Sequence, residues 1–91
     1  MEEKFLKALE DARKQAQALG VRIRPLTDMK AVCRVLTGHR ESDGFFQLTE
    51  MGKGELTLEA MALKKAYATL FTDEMANNAL ARLLEAGYKF Y

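Results

Sequence analysis

Apolar residues recur every three or four positions along most of this chain, which is the spacing of an amphipathic helix. The first such stretch covers residues 2–19, and Gly20 is placed to end it in the left-handed conformation. The second covers residues 28–37, with Thr27 as its predicted N-cap and Gly38 after its end. The pattern therefore predicts two helices in the first forty residues.

The segments between the helices carry shorter signals. Residues 21–24 alternate apolar with basic side chains, the period of a half-buried strand, and Pro25 ends that strand or confines it to a sheet edge. Residues 38–44 are the most polar stretch, and we predict a loop there, a short helix over residues 42–51 and then a glycine-flanked turn. A hairpin over residues 45–58 is the alternative.

Residues 56–70 form a third strong pattern, with Thr57 as the predicted N-cap. This helix is apolar on two sides, so we expect it to be central in the fold, with Leu63 in the core. Its few charged residues, Glu59 among them, are predicted to mark a narrow solvent edge.

The last helix is predicted over residues 72–86, with Thr72 as its cap and Gly87 as its stop. Since an unpaired buried carboxylate is costly, we expect Leu80→Asp to prevent folding. The side chains predicted to face the core are Ala76, Ala79, Leu80, Leu83 and Leu84.

The final third resembles helix-turn-helix and winged-helix modules in its order of elements: a helix, a tight turn, a helix and the strand-like residues 88–91. We predict one compact, mostly α domain over residues 1–91, with four or five helices. Residues 21–24 and 88–91 form at most a minimal two-stranded ribbon.

Composition narrows the class of protein. The 91 residues are 48% apolar and 30% charged, which is typical of a folded globular domain. No long apolar stretch occurs and the chain starts with acidic residues, so we expect no membrane segment and no signal peptide. A single cysteine allows no internal disulfide, which favours a cytoplasmic protein.

Candidate catalytic and metal-binding chemistry is sparse. Cys33 is the only thiol and lies on the apolar face of its helix, while His39, the only imidazole, lies in a loop. His39, Glu41 and Asp43 lack a further ligand with the spacing of a known metal motif. We expect no enzyme, no cofactor, no metal and no small-molecule substrate.

Charge is distributed unevenly. Residues 1–40 hold nine Lys and Arg against five Asp and Glu, whereas residues 41–91 hold five against eight. The basic segment is a candidate contact for nucleic acid or for an acidic partner. The alternative is that its charges only solvate the surface and protect an edge strand from unwanted pairing. The candidate residues are Arg22, Arg24, Lys30, Arg34, Arg40 and Lys89.

The last helix offers a second candidate surface, formed by Asn77, Asn78 and Arg82. A recognition helix would present its first turn to DNA, and here that turn carries Asp73 and Glu74, which repel phosphate. Any nucleic-acid binding is therefore expected to be weak and to come from the basic segment.

These observations favour a non-catalytic, intracellular, protein-binding or self-associating helical module. Eight aromatic residues and a helix apolar on two sides are a heavy load for one small core, so we expect a twofold homodimer or docking on another protein. A small DNA-binding regulator is the alternative.

Overall fold

The computed structural model describes residues 2–88, which form five α-helices and two short 3₁₀ segments. The helices are α1 (Glu2–Ala18), α2 (Met29–Thr37), α3 (Phe45–Glu50), α4 (Leu58–Ala62) and α5 (Asp73–Glu85), with 3₁₀ segments at Gly54–Leu56 and Lys65–Leu70. The predicted mostly α fold is confirmed, and the short helix α3 replaces the alternative hairpin.

The predicted ribbon has no counterpart within the described residues. Residues 21–27 belong to neither helix nor strand. Most of the proposed pairing segment, from Lys89 to the end of the chain, lies outside residues 2–88.

Side-chain caps begin three of the helices. The hydroxyl of Thr57 accepts the amide of Ala60 at 3.1 Å, and that of Thr72 accepts the amide of Met75 at 3.2 Å, as predicted. The cap predicted for α2 is wrong by one residue, because Asp28 supplies it. Asp28 carries a carboxylate, which accepts an amide at the positive end of the helix more strongly than a hydroxyl does.

A Schellman motif ends α5 at the predicted glycine. Gly87 adopts a φ of 78°, and its amide donates to the carbonyl of Leu84 at 3.1 Å. The amide of Tyr88 donates to the carbonyl of Leu83 at 2.9 Å, and its ring packs against the apolar cluster that contains Leu83.

The single helix predicted over residues 56–70 is broken. α4 ends at Ala62, Lys64 is extended with a ψ of 136°, and the chain continues as a 3₁₀ segment. The break accompanies a contact with α1: the rings of Tyr67 and Phe71 lie edge-on to Phe5, with centroids 5.0 and 5.1 Å away. Tertiary packing of the buried Phe5 thus overrides the local helical pattern.

The core is built mainly where α1, α2, α4 and α5 meet. Its largest cluster of buried side chains consists of Phe5, Ala12, Val32, Leu36, Leu58, Met61, Ala62 and Ala79. Leu63 packs on this cluster but is only half-buried. Ala60 and Leu83 join Phe45 of α3 in a separate cluster.

The predicted core face of α5 is wrong at two leucines. Ala79 and Leu83 are fully buried, whereas Leu80 is 38% exposed and Leu84 is 59% exposed. The neighbouring helices therefore cover a narrower face of α5 than its apolar pattern suggests. A carboxylate at Leu80 would reach water, so Leu80→Asp is expected to fold, contrary to the sequence prediction.

Gly44 fixes the approach of α3 to the loop after α1. Its φ is 75°, and a Cβ at this position would lie 2.6 Å from Cγ1 of Val21 and 3.0 Å from Cγ1 of Ile23. Only glycine satisfies both the backbone conformation and this close approach. The contact positions residues 21–24 beside α3 without strand pairing.

Candidate functional site

A cleft of 520 Å³ opens between α1, residues 23–26, the end of α2 and the loop 38–43. Its floor is aliphatic and its rim is charged, and arginine is the commonest charged residue, so we call it the arginine cleft. The floor consists of Leu9, Ile23, Leu26, Val35, Leu56 and Leu58, and the charged rim of Arg13, Arg24, Arg34, Arg40, Glu10, Glu41 and Asp43.

Two of the rim arginines are already paired with acids. Arg13 donates through Nε to Glu10 at 2.9 Å, and Arg24 donates through Nε to Asp43 at 3.0 Å. The hydrogen bond from Arg24 lowers the pKa of Asp43 and raises the pKa of Arg24. The hydrogen bond with Arg13 likewise lowers the pKa of Glu10. The arginine and the carboxylate of each pair therefore stay ionised near neutral pH, and their opposite charges largely cancel.

The other two rim arginines, Arg34 and Arg40, have no acidic partner in the part of the chain that the structure describes. Within residues 2–88, neither Arg34 nor Arg40 forms an ion pair, and both are exposed. His39 lies beside Arg40 on the same wall and is also exposed. Among the described residues, the arginine cleft thus combines a mostly half-buried apolar floor with two arginines and one carboxylate, Glu41, that form no ion pair.

A buried ion pair lies behind this wall. Nη1 of Arg82 donates to Oε2 of Glu59 at 3.1 Å, and the two side chains are 9% and 0% exposed. The prediction that Glu59 marks a solvent edge is wrong, and so is the prediction that Arg82 lies on a helix surface. Burial of both charges is tolerated because each is paired and hydrogen-bonded further.

The same pair holds both ends of the loop that carries Arg40. Arg82 donates through Nη2 to the carbonyl of Gly38 at 2.7 Å and to that of Val35 at 3.2 Å. Glu59 accepts the hydroxyl of Ser42 at 2.6 Å and its amide at 2.9 Å. Glu59 and Arg82 therefore act as positioning residues for the wall of the arginine cleft.

The structure brings three of the predicted basic residues together. Arg24, Arg34 and Arg40 line the arginine cleft, and Arg22 lines a neighbouring depression that shares Arg24 with it. Lys30 is exposed on α2 and does not line the cleft. The prediction for Lys89 lies outside the described residues.

The predicted surface on α5 is not one surface. Asn77 is exposed, but Asn78 is half-buried and donates through Nδ2 to the carbonyl of Leu36 at 2.9 Å. Arg82 is buried in the ion pair. Two of these three polar side chains therefore hold α5 against α2.

Other chemistry-bearing residues are dispersed. Cys33 is a free, half-buried thiol on α2, and His39 is exposed in the loop after that helix. Among the residues that the structure describes, no three His, Cys, Asp or Glu side chains are arranged to hold a metal ion. The arginine cleft is therefore the feature from which a function can be argued.

Comparisons of the chain with protein-family models, curated proteins and solved structures give no match. Within residues 2–88, no helix combines the length and the apolar character needed to cross a bilayer.

Proposed function

We propose that the protein is a non-catalytic docking module whose arginine cleft binds an acidic, amphipathic segment of a partner protein. The single observation behind the proposal is the combination in one cleft of six aliphatic side chains with Arg34 and Arg40, which form no ion pair within residues 2–88. An apolar floor favours a ligand that buries hydrophobic side chains. Cations at the rim favour acids beside them.

The same features weigh against DNA as the preferred ligand. The aliphatic floor offers nothing to phosphate. Weak, salt-dependent binding of duplex DNA through Arg22 and Arg24 is the second candidate function, since both are exposed.

The proposed setting is the cytoplasm. The single thiol, Cys33, forms no disulfide in the described part of the chain, as is usual for proteins of a reducing compartment.

A peptide titration tests the proposal. The probe is a labelled synthetic helix with leucines at i and i+4 and glutamates on both flanks, and binding is followed by fluorescence anisotropy. We expect Arg34→Ala/Arg40→Ala to weaken binding about 5- to 30-fold, because two rim charges each contribute roughly 0.5–1 kcal/mol. Lys30→Ala is the matched control, since it removes an exposed cation of α2 that does not line the cleft.

Three results count against the proposal. Equal affinity of wild type and the double variant would show that the cleft is not the binding site. Equal losses for Lys30→Ala would indicate a general charge effect. Tighter binding of duplex DNA than of the peptide would favour the second candidate function.

A further inference from the structure

The outer face of α5 carries exposed leucines and carboxylates, which are complementary to the aliphatic floor and the arginines of the cleft. Its exposed leucines, Leu80 and Leu84, are one helical turn apart and lie on the same side of the helix. Every exposed charge of α5 is acidic, because its one base, Arg82, is buried. We define the outer face by Asp73, Glu74, Asn77, Leu80, Leu84 and Glu85, all of which are exposed.

We infer that the outer face of α5 in one copy of the chain docks in the arginine cleft of a second copy. The inference rests on the proposed function and names the partner for that site. Leucines of the outer face would cover the aliphatic floor, and its carboxylates would meet Arg34 and Arg40. The charge distribution along the chain agrees with this contact. Residues 1–40, which hold the cleft arginines, have an excess of basic residues, and residues 41–91, which hold α5, have an excess of acidic ones.

The outer face of α5 cannot dock in the arginine cleft of the same copy of the chain. No residue that lines the arginine cleft comes from α5, and among residues 2–88 the last one that lines it is Leu58. On α5, Arg82 and Asn78 contact carbonyl groups at the end of α2. Successive helical residues are separated by about 100°, so Leu84 and Arg82 project to opposite sides of Leu83. The two surfaces therefore face different directions.

The contact joins different patches on the two copies. Such a head-to-tail contact extends into open chains or closes into a ring, unlike the twofold dimer expected from the sequence. α5 has only 13 residues, so one face of it buries less than the roughly 800 Å² per partner of a standard interface. Association is therefore weak, in the high micromolar range, and is reduced by added salt.

A complementation experiment by analytical ultracentrifugation tests the inference. The cleft variant is Arg34→Glu/Arg40→Glu and the face variant is Leu80→Ser/Leu84→Ser. These residues are exposed, so both variants should melt like wild type in circular dichroism. We expect wild type to grow in mass with concentration and each variant alone to stay monomeric. An equimolar mixture should form a one-to-one dimer and stop, because one intact cleft meets one intact face.

Leu19→Ser is the matched control, because Leu19 is 42% exposed and belongs to neither surface. It should associate like wild type. Self-association of the cleft variant alone would overturn the inference in favour of a twofold α5 contact. A monomeric wild type that still binds the acidic test peptide would also overturn it while leaving the proposed function standing. A monomeric wild type that does not bind the peptide would overturn both the inference and the proposed function.

Discussion

Glu59→Ala is expected to lower the free energy of unfolding by about 3–5 kcal/mol, a large part of the roughly 5–15 kcal/mol typical of a small domain. The substitution leaves the guanidinium of Arg82 buried without its carboxylate and removes the acceptor for the amide and hydroxyl of Ser42. Chemical denaturation followed by circular dichroism measures the loss. Glu55→Ala, at an exposed position four residues earlier, should change stability little.

A double variant distinguishes two contributions to the free energy of unfolding: the destabilisation caused by removing one member of the pair, and the net contribution of the intact pair. Glu59→Leu/Arg82→Met should recover part of the loss, because a buried ion pair replaced by apolar side chains is often nearly neutral. Recovery should be incomplete, since Ser42 and the carbonyl of Gly38 also lose their partners. A Glu59→Ala variant as stable as wild type would mean that the carboxylate does not organise the loop.

Leu83→Asp is expected to abolish folding, whereas the neighbouring Leu84→Asp should fold. Leu83 is fully buried, so the variant loses the burial of a leucine and places an unpaired carboxylate in the core, at a cost of several kcal/mol. Leu84 is 59% exposed, and its replacement should cost about 1 kcal/mol or less. Thermal melts of the two variants decide the register of α5. Cooperative melting of Leu83→Asp would show that the register is wrong.

Local signals in the sequence predict most of the helices. α1, α2, α3 and α5 lie within a few residues of their predicted bounds, because their starts and ends depend on nearby caps and glycines. The break after Ala62 could not be predicted in this way. It depends on the packing of Tyr67 and Phe71 against Phe5, which is more than sixty residues away in the chain.

The candidate site was only partly predictable for the same reason. The basic composition of residues 1–40 indicated Arg24, Arg34 and Arg40, but not that an aliphatic floor lies between them. The sequence gives a weak indication of the buried pair of Glu59 and Arg82. Glu59 is the only charge between Leu56 and Leu63, and a carboxylate enclosed by apolar residues requires a buried partner.

The exposed leucines of α5 show a further limit of periodicity. The apolar residues from Ala76 to Leu84 cover a broad face of the helix, and the pattern does not say which edge of that face the neighbouring helices cover. In the structure, α2 and α4 cover the edge with Ala79 and Arg82 and leave Leu80 and Leu84 at the surface.

Mapping amide chemical shifts of the ¹⁵N-labelled protein during titration with the unlabelled acidic peptide tests the central claim most directly. We predict that the largest changes fall in residues 38–43 and at Ile23, Arg24, Leu26 and Arg34, which line the arginine cleft. The amide of Lys30 and those of the exposed lysines of α1 should change little. Shifts spread evenly over all exposed basic residues, or concentrated on α5, would contradict the assignment of the cleft as the docking site.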